Sequence, residues 1–237
     1  MSMPAKYYRD KLYPFQDQVL KLIQELDVGF YLTGGTALGR CFLNHRYSDD
    51  LDLFVNADER FRAQCNLVLG KLTESKIAFE VGVASESFVR LMLKERNTIL
   101  KLDFVNDVAF RWGTVSQTSI FKRVDNWRNI LSNKLCAMSR LEAKDIVDIL
   151  FIAFEYEFNW EDIFEEAGQK DIWVNPLEIS KIMESFPTAR LREIKWTKQV
   201  KQAELGSEIE QLRNDLFYGN SNSLYGTRDF GRHNHDP

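Results

Sequence analysis

The chain has 237 residues, of which 44% are hydrophobic and 13% aromatic, enough for a sizeable core and too apolar for a disordered chain. Lys and Arg number 31 against 35 Asp and Glu, and the net charge of −4 excludes a global positive field that would gather polyanions. Cys41, Cys65 and Cys136 form no CxxC pair, the first residues carry no apolar signal segment, and no stretch approaches the roughly 18 apolar residues of a membrane span, so a cytoplasmic chain without disulfides is expected.

Phe15, Val19, Leu22, Ile23 and Leu26 keep a 3.6-residue period and predict an amphipathic helix over about 15–27. A short strand is expected at 30–32, then Gly34-Gly35 and a helical stretch to about 43. Residues 51–55 read as a strand and about 59–73 as a helix, which is an alternating β and α pattern. Three β-rich runs follow at 77–83, 88–93 and 98–105, the last two joined by the polar turn Lys94-Glu95-Arg96-Asn97, and suggest a hairpin completing a mixed sheet. From Asn126 onward the pattern is helical, with Trp127, Ile130, Leu131, Met138 and Leu141 on one stripe and Ile146, Ile149, Leu150, Ala153 and Phe154 on the next. The polar end, from Asn220 to His233-Asn234-His235-Asp236-Pro237, reads as a loose tail.

Charge is unevenly distributed. Residues 90–144 carry eleven Lys or Arg against five Asp or Glu, whereas 145–186 carry two against eleven. This asymmetry suits either an anion-binding face beside a partner-binding face or two solvated surfaces.

The candidate chemistry begins at Thr33-Gly34-Gly35-Thr36, where a strand passes into a helix. Glycines there let backbone approach a ligand, and free N–H groups at a helix start favour phosphate, although Gly-Gly also serves ordinary tight turns. Next, Arg46-Tyr47-Ser48-Asp49-Asp50-Leu51-Asp52-Leu53 places Asp50 and Asp52 on one face at the mouth of an apolar strand. Two adjacent carboxylates repel, which makes sense around a divalent cation; the alternative is an exposed acidic turn. Asp103 lies opposite Leu100, Leu102 and Phe104 on a later strand, and if that strand pairs beside the first, three carboxylates converge, enough for two magnesium ions about 4 Å apart. Asp107 is expected in a loop beyond it. Lys134 falls on the apolar stripe of its helix, where it needs a partner, a phosphate or an aliphatic route to the surface. Asp145 shares a stripe with Ile149 and Ile152, Lys144 and Asp148 lie at its edge, and Arg140 is expected in solvent. Neither GxxxxGK[ST] nor GxGxxG occurs, and the only histidines are His45, His233 and His235, so common ATPase, dehydrogenase and Cys/His zinc readings drop out.

Together, Gly34-Gly35-Thr36, Arg46-x-Ser48-x-Asp50-Leu51-Asp52-Leu53 and Asp103 resemble the polymerase-β-type nucleotidyltransferases, and most of all the AbiEii/AbiGii-type toxin family. Lys134-Leu135-x-Ala137, Arg140 and Lys144-Asp145-x-x-Asp148 resemble the carboxy-terminal motifs of that family; the resemblance spans about 28–150. It implies an α/β (α+β) nucleotidyltransferase fold, and the residue pattern divides the chain into a core with its N-terminal helix over 1–120, a helical domain over 121–218 and a flexible tail over 219–237. The implied reaction moves a nucleoside monophosphate from an NTP to an acceptor hydroxyl, such as a tRNA 3′ end, in the toxin of a toxin–antitoxin or phage-defence pair. In that reading Asp50, Asp52 and Asp103 bind two Mg2+ ions, with Mn2+ as the alternative. Gly34, Gly35, Thr36 and Ser48 cradle the triphosphate, Lys134 neutralises it, and Arg46 fixes the loop before the metal strand. Lys144 and Asp145 line the nucleotide or acceptor side, and the partners are an NTP, the acceptor and a cognate antitoxin. The competing readings are a nucleotidyltransferase acting on a small antibiotic-type molecule and a non-catalytic nucleotide-binding module.

Overall fold

A computed structural model describes residues 3–228. The chain divides into two compact units, one formed by residues up to Ala37 with Tyr47–Asn126, the other by Leu38–Arg46 with residues from Trp127 onward.

The first unit is built on a mixed five-stranded sheet of β1 (Tyr31–Thr33), β2 (Leu51–Asn56), β3 (Ala78–Ala84), β4 (Phe88–Glu95) and β5 (Thr98–Asp107). Its order is β1-β2-β5-β4-β3. Only β2 and β5 pair in parallel; the other neighbours run antiparallel. The expected β4–β5 hairpin is present, but β4 runs on through Lys94 and Glu95 of the polar turn, and β5 extends at its far end so that Asp107 closes it opposite Asn56 rather than lying in a loop. Backbone pairing satisfies N–H and C=O groups however polar the side chains are, so Lys94 and Glu95 remain in the ladder.

Alternation along the strands makes two unlike faces. Leu51, Leu53 and Val55 of β2, Leu100, Leu102 and Phe104 of β5, and Val89, Leu91 and Leu93 of β4 are buried. They share a core with α2 (Tyr13–Gln24) and α4 (Phe61–Glu74), preceded in the chain by the short α1 (Met3–Tyr7). Phe30 packs edge-on against Phe61 of α4 and tilts onto Phe104 at 4.8 Å. Each such side chain contributes roughly 1.5–3 kcal/mol of burial. The opposite face carries Asp52, Asp103, Arg90 and Lys101, and this is where the polar chemistry of the first unit sits. The predicted helix over 15–27 starts two residues earlier, at Tyr13 with Pro14 in its first turn, and closes at Gln24.

The second unit is helical. It contains α5 (Trp127–Ala137), α6 (Ala143–Glu155), α7 (Trp160–Gly168), α8 (Pro176–Ser185) and α9 (Gln202–Tyr218), together with the wide helical turn Leu38–Phe42 that continues from α3 (Gly34–Ala37) of the first unit. On α6, Ile146–Phe154 are all buried, so it is the central helix of this unit. Leu141 departs from the expected stripe: α5 stops at Ala137, a 3-10 turn follows, and Leu141 takes φ 53° with its side chain partly in solvent.

The tail reading fails for residues 219–228. Asn222 is buried and donates to the Ala153 carbonyl at 2.7 Å and the Tyr156 carbonyl at 2.8 Å, which are carbonyls at the C-terminus of α6, and Leu224 is 1% exposed. A polar sequence here satisfies a helix end instead of hanging free. Residues 229–237, including His233 and His235, lie outside the described residues.

Candidate active site

Strand β1 ends at Thr33, and Gly34 turns the chain with φ 67°, a left-handed conformation that a side chain resists. A Cβ built on Gly34 would stand 2.6 Å from Asp52 Oδ2, so the absence of a side chain lets the backbone of this turn close onto a carboxylate. Gly35 and Thr36 follow in α3, and the Thr36 hydroxyl donates to the Asp50 carbonyl, tying the turn to the entry of β2. Ser48 is buried at that entry: its carbonyl accepts from Gln16 Nε2 at 3.3 Å and its N–H donates to the Tyr13 hydroxyl at 3.4 Å. Tyr8, stacked on Tyr47 with ring centroids 4.2 Å apart, donates its hydroxyl to Asp49, and its ionisation is pushed upward by burial and by that carboxylate.

The parallel pairing of β2 with β5 sets Asp52 directly opposite Asp103, as the sequence reading required. Asp103 is buried and held by Arg90, its partner on β4, whose Nε and Nη2 donate to the two carboxylate oxygens at 2.8 and 2.7 Å. The Asp103 hydrogen bond raises the Arg90 pKa further. Lys101 Nζ lies 2.7 Å from Asp50 Oδ2. Among the described residues no three His, Cys, Asp or Glu side chains are gathered so that they could hold a metal ion, so the expected three-carboxylate convergence is not formed. The donors nevertheless fit a hard divalent cation: they are carboxylate oxygens on facing strand positions, and the Gly34 backbone leaves open the cradle beside Asp52 that a Cβ would fill.

The remaining candidates belong to the second unit, where Arg46, Lys134 and Asp145 join Asp148 in one buried charge cluster. Asp148 of α6, fully buried rather than at a helix edge, accepts four bonds: His45 Nε2 at 2.8 Å and Arg46 Nε at 2.7 Å on Oδ1, Arg46 Nη2 at 2.7 Å and Lys134 Nζ at 2.6 Å on Oδ2. Burial works against its charge, but Arg46, Lys134 and these bonds prevail and hold the carboxyl well below its ordinary range. Lys134 also reaches Asp145 Oδ1 at 2.6 Å. Burial would lower the lysine pKa, yet the two carboxylates raise it. Arg140, half in solvent as expected, bonds the second Asp145 oxygen at 2.9 Å; Lys144 precedes Asp145 and is half-buried. A carboxylate only accepts, so His45 carries its proton on Nε2. Its Nδ1 is buried with no hydrogen-bond partner, and burial drives the ring pKa down. Arg46 is thus anchored by a carboxylate of α6. Sequence reasoning missed Asp148 as the hub, and His45 as its partner, because nothing local links positions a hundred residues apart.

Sequence reasoning also missed Asp125. It is completely buried, accepts from the Thr33 hydroxyl at 2.8 Å and from Arg111 at 2.9 Å, and its N–H donates to the Leu32 carbonyl, so it fixes the end of β1 immediately before the Gly34 turn. Its only advance signal was an acid in a stretch otherwise rich in basic residues.

The fold resembles that of solved nucleotidyltransferase structures. A Helicobacter pylori protein proposed to be a nucleotidyltransferase superposes with a TM-score of 0.61 at 20% identity, covering 88% of this chain and 96% of that one. JHP933 from H. pylori gives 0.58 at 21% identity, with 88% and 93% covered. MenT4, a nucleotidyltransferase toxin from Mycobacterium tuberculosis H37Rv, gives 0.57 at 18% identity, with 86% and 82% covered. No protein of curated function matches. Residues 21–223 match the family of nucleotidyl transferase AbiEii toxins of type IV toxin–antitoxin systems, a match that covers most of the chain and takes in both units. The chain therefore belongs to the AbiEii nucleotidyltransferase toxin family.

Proposed function

We propose that this nucleotidyltransferase moves a nucleoside monophosphate from an NTP to the 3′ hydroxyl of an RNA, with tRNA as the first acceptor to test, and that the reaction depends on magnesium. The observation that carries the reading is Asp52 paired in register with Asp103 beneath the Gly34 turn. Asp50, Asp52 and Asp103 would hold the divalent cation, which when bound supplies charge neutralisation at the phosphates and acidifies the acceptor hydroxyl. Backbone N–H groups of Gly35 and Thr36 cradle triphosphate oxygens, while the Thr36 hydroxyl, committed to the Asp50 carbonyl, holds the turn. Asp103 would take the acceptor proton as the new O–P bond forms and the bond from the α-phosphorus to the bridging oxygen breaks, releasing pyrophosphate. In the second unit Lys134 is kept protonated by Asp148 and Asp145, against the effect of burial. Such chemistry needs positioning and charge compensation more than a covalent intermediate.

RNA is favoured as acceptor by the basic 90–144 segment, within which Lys94, Arg96 and Lys122 stand exposed while Arg111 and Lys134 are committed to carboxylates. Membership of a type IV toxin–antitoxin family implies an antitoxin partner. Among the described residues no helix is long and apolar enough to cross a membrane. The test is incubation of the purified chain with magnesium, each labelled NTP in turn and total RNA, with Asp52→Asn as control. Label in a tRNA-sized band that the variant loses supports the proposal. Label on a small molecule reassigns the acceptor, and no label from any NTP with RNA, protein or small molecules refutes catalytic transfer.

A further inference from the structure

The acidic face of the first unit carries its own cations. Asp50, Asp52 and Asp103 would place three negative charges at the β2–β5 seam, an arrangement that repels itself. Arg90 spans both oxygens of Asp103, and Lys101 sits on Asp50. Neither pairing is incidental to the topology. Arg90 is the register partner of Asp103 across β4 and β5, and Lys101 precedes Asp103 by two residues, so strand alternation puts both cations on the face of the acids. Their side chains are 38% and 27% exposed, which leaves room for each to swing away from its carboxylate. A divalent cation bound through Asp103 would share its oxygens with a guanidinium of like charge.

We propose that Arg90 and Lys101 are internal counter-ions that occupy Asp103 and Asp50 while the site holds no cation, and that a divalent cation binds by displacing them. Arg90 is thereby a positioning residue that sets the cation affinity of the site and prevents the empty acidic face from repelling itself apart. This inference rests on the reading that these three acids are the cation site.

The test is Mn2+ binding to the purified full chain without nucleotide, followed by the electron paramagnetic resonance signal of free Mn2+, for wild type, Arg90→Gln, Arg90→Lys, Lys101→Gln and Asp52→Asn. Removing a charge-assisted, two-bond competitor is expected to tighten Mn2+ binding about tenfold in Arg90→Gln. Lys101→Gln moves in the same direction and carries the test if Arg90→Gln does not fold. Arg90→Lys keeps the charge and stays near wild type. The unfolding temperature of Arg90→Gln falls without cation, and Mn2+ raises it by more than it raises that of wild type, a difference that a purely structural role does not produce. Mn2+ affinity unchanged or weakened in Arg90→Gln and Lys101→Gln, with binding lost in Asp52→Asn, overturns the counter-ion role and leaves the site assignment standing. Binding seen only after Arg90 is replaced supports it strongly, and binding in none of the proteins overturns both this inference and the cation site on which it rests.

Discussion

Replacement of Gly34 by alanine separates a ligand-cradling turn from an ordinary one. At φ 67° an alanine accepts a left-handed backbone, at a cost of about 1–2 kcal/mol, partly offset by the roughly 0.4–1 kcal/mol gained from a less flexible unfolded chain. Its Cβ would also stand 2.6 Å from Asp52 Oδ2, so the carboxylate must retreat by about 0.8 Å to reach ordinary contact near 3.4 Å. The backbone cost alone lowers the unfolding temperature by about 2–8 °C in a chain of this size. A displacement approaching 1 Å in the group that positions the reaction lowers transfer on the order of a hundredfold. Gly70 of α4 is the control: a Cβ there meets nothing within 4 Å, and helix propensity makes alanine stabilising by about 0.5–1 kcal/mol. Thermal unfolding and NTP transfer to RNA measured on both variants decide the matter. Gly34→Ala with wild-type stability and wild-type transfer, in assays that detect the gain at Gly70→Ala, would refute the claim that this turn is glycine because Asp52 stands beneath it.

Three further outcomes follow from the second unit. Asp148→Asn leaves Arg46 and Lys134 facing each other across a buried site and should destabilise the fold by about 3–5 kcal/mol by chemical denaturation. Because the folded pKa of Asp148 lies below the ordinary value of 3.8, its contribution is full above that value and is lost as the pH falls through the folded pKa; the variant should lack this component of acid unfolding. His45 resists protonation when buried, so below its ordinary pKa of 6.5 the unfolded chain takes up a proton that the folded chain refuses; stability should decline from about pH 6.5 downward, and an unaltered slope in His45→Gln would count against this account. Asn222→Ala strands the Ala153 and Tyr156 carbonyls and should cost about 1–3 kcal/mol, whereas a neutral effect would return residues 219–228 to the status of a loose tail.

The sheet was legible because its strands alternate. Leu51, Leu53 and Val55 had to face one way and Asp52 the other, and the same period in Leu100, Leu102 and Phe104 put Asp103 on the matching face. Conditional on parallel pairing, the Asp52–Asp103 juxtaposition followed from spacing alone. The Gly-Gly turn was visible as a composition signal, but its purpose was not, since the Asp52 carboxylate that a Cβ on Gly34 would meet at 2.6 Å stands eighteen positions away in the chain. Lys134 on an apolar stripe announced a buried charge without naming its partners, and α6 looked like a simple amphipathic helix with Asp148 at its margin.

What the sequence by itself determined was periodicity: which side chains share a face, where chain direction changes, and which residue types stand at the mouths of strands. Those are local properties, dictated by backbone geometry over a few residues. Tertiary structure alone decided which charges meet. Arg90 on Asp103, Lys101 on Asp50, and Asp148 between His45, Arg46 and Lys134 depend on strand register and helix packing across large separations. The physical reason is that burial makes an unpaired charge intolerable without specifying its partner: desolvation demands a counter-ion, and only the assembled fold determines which one is within reach.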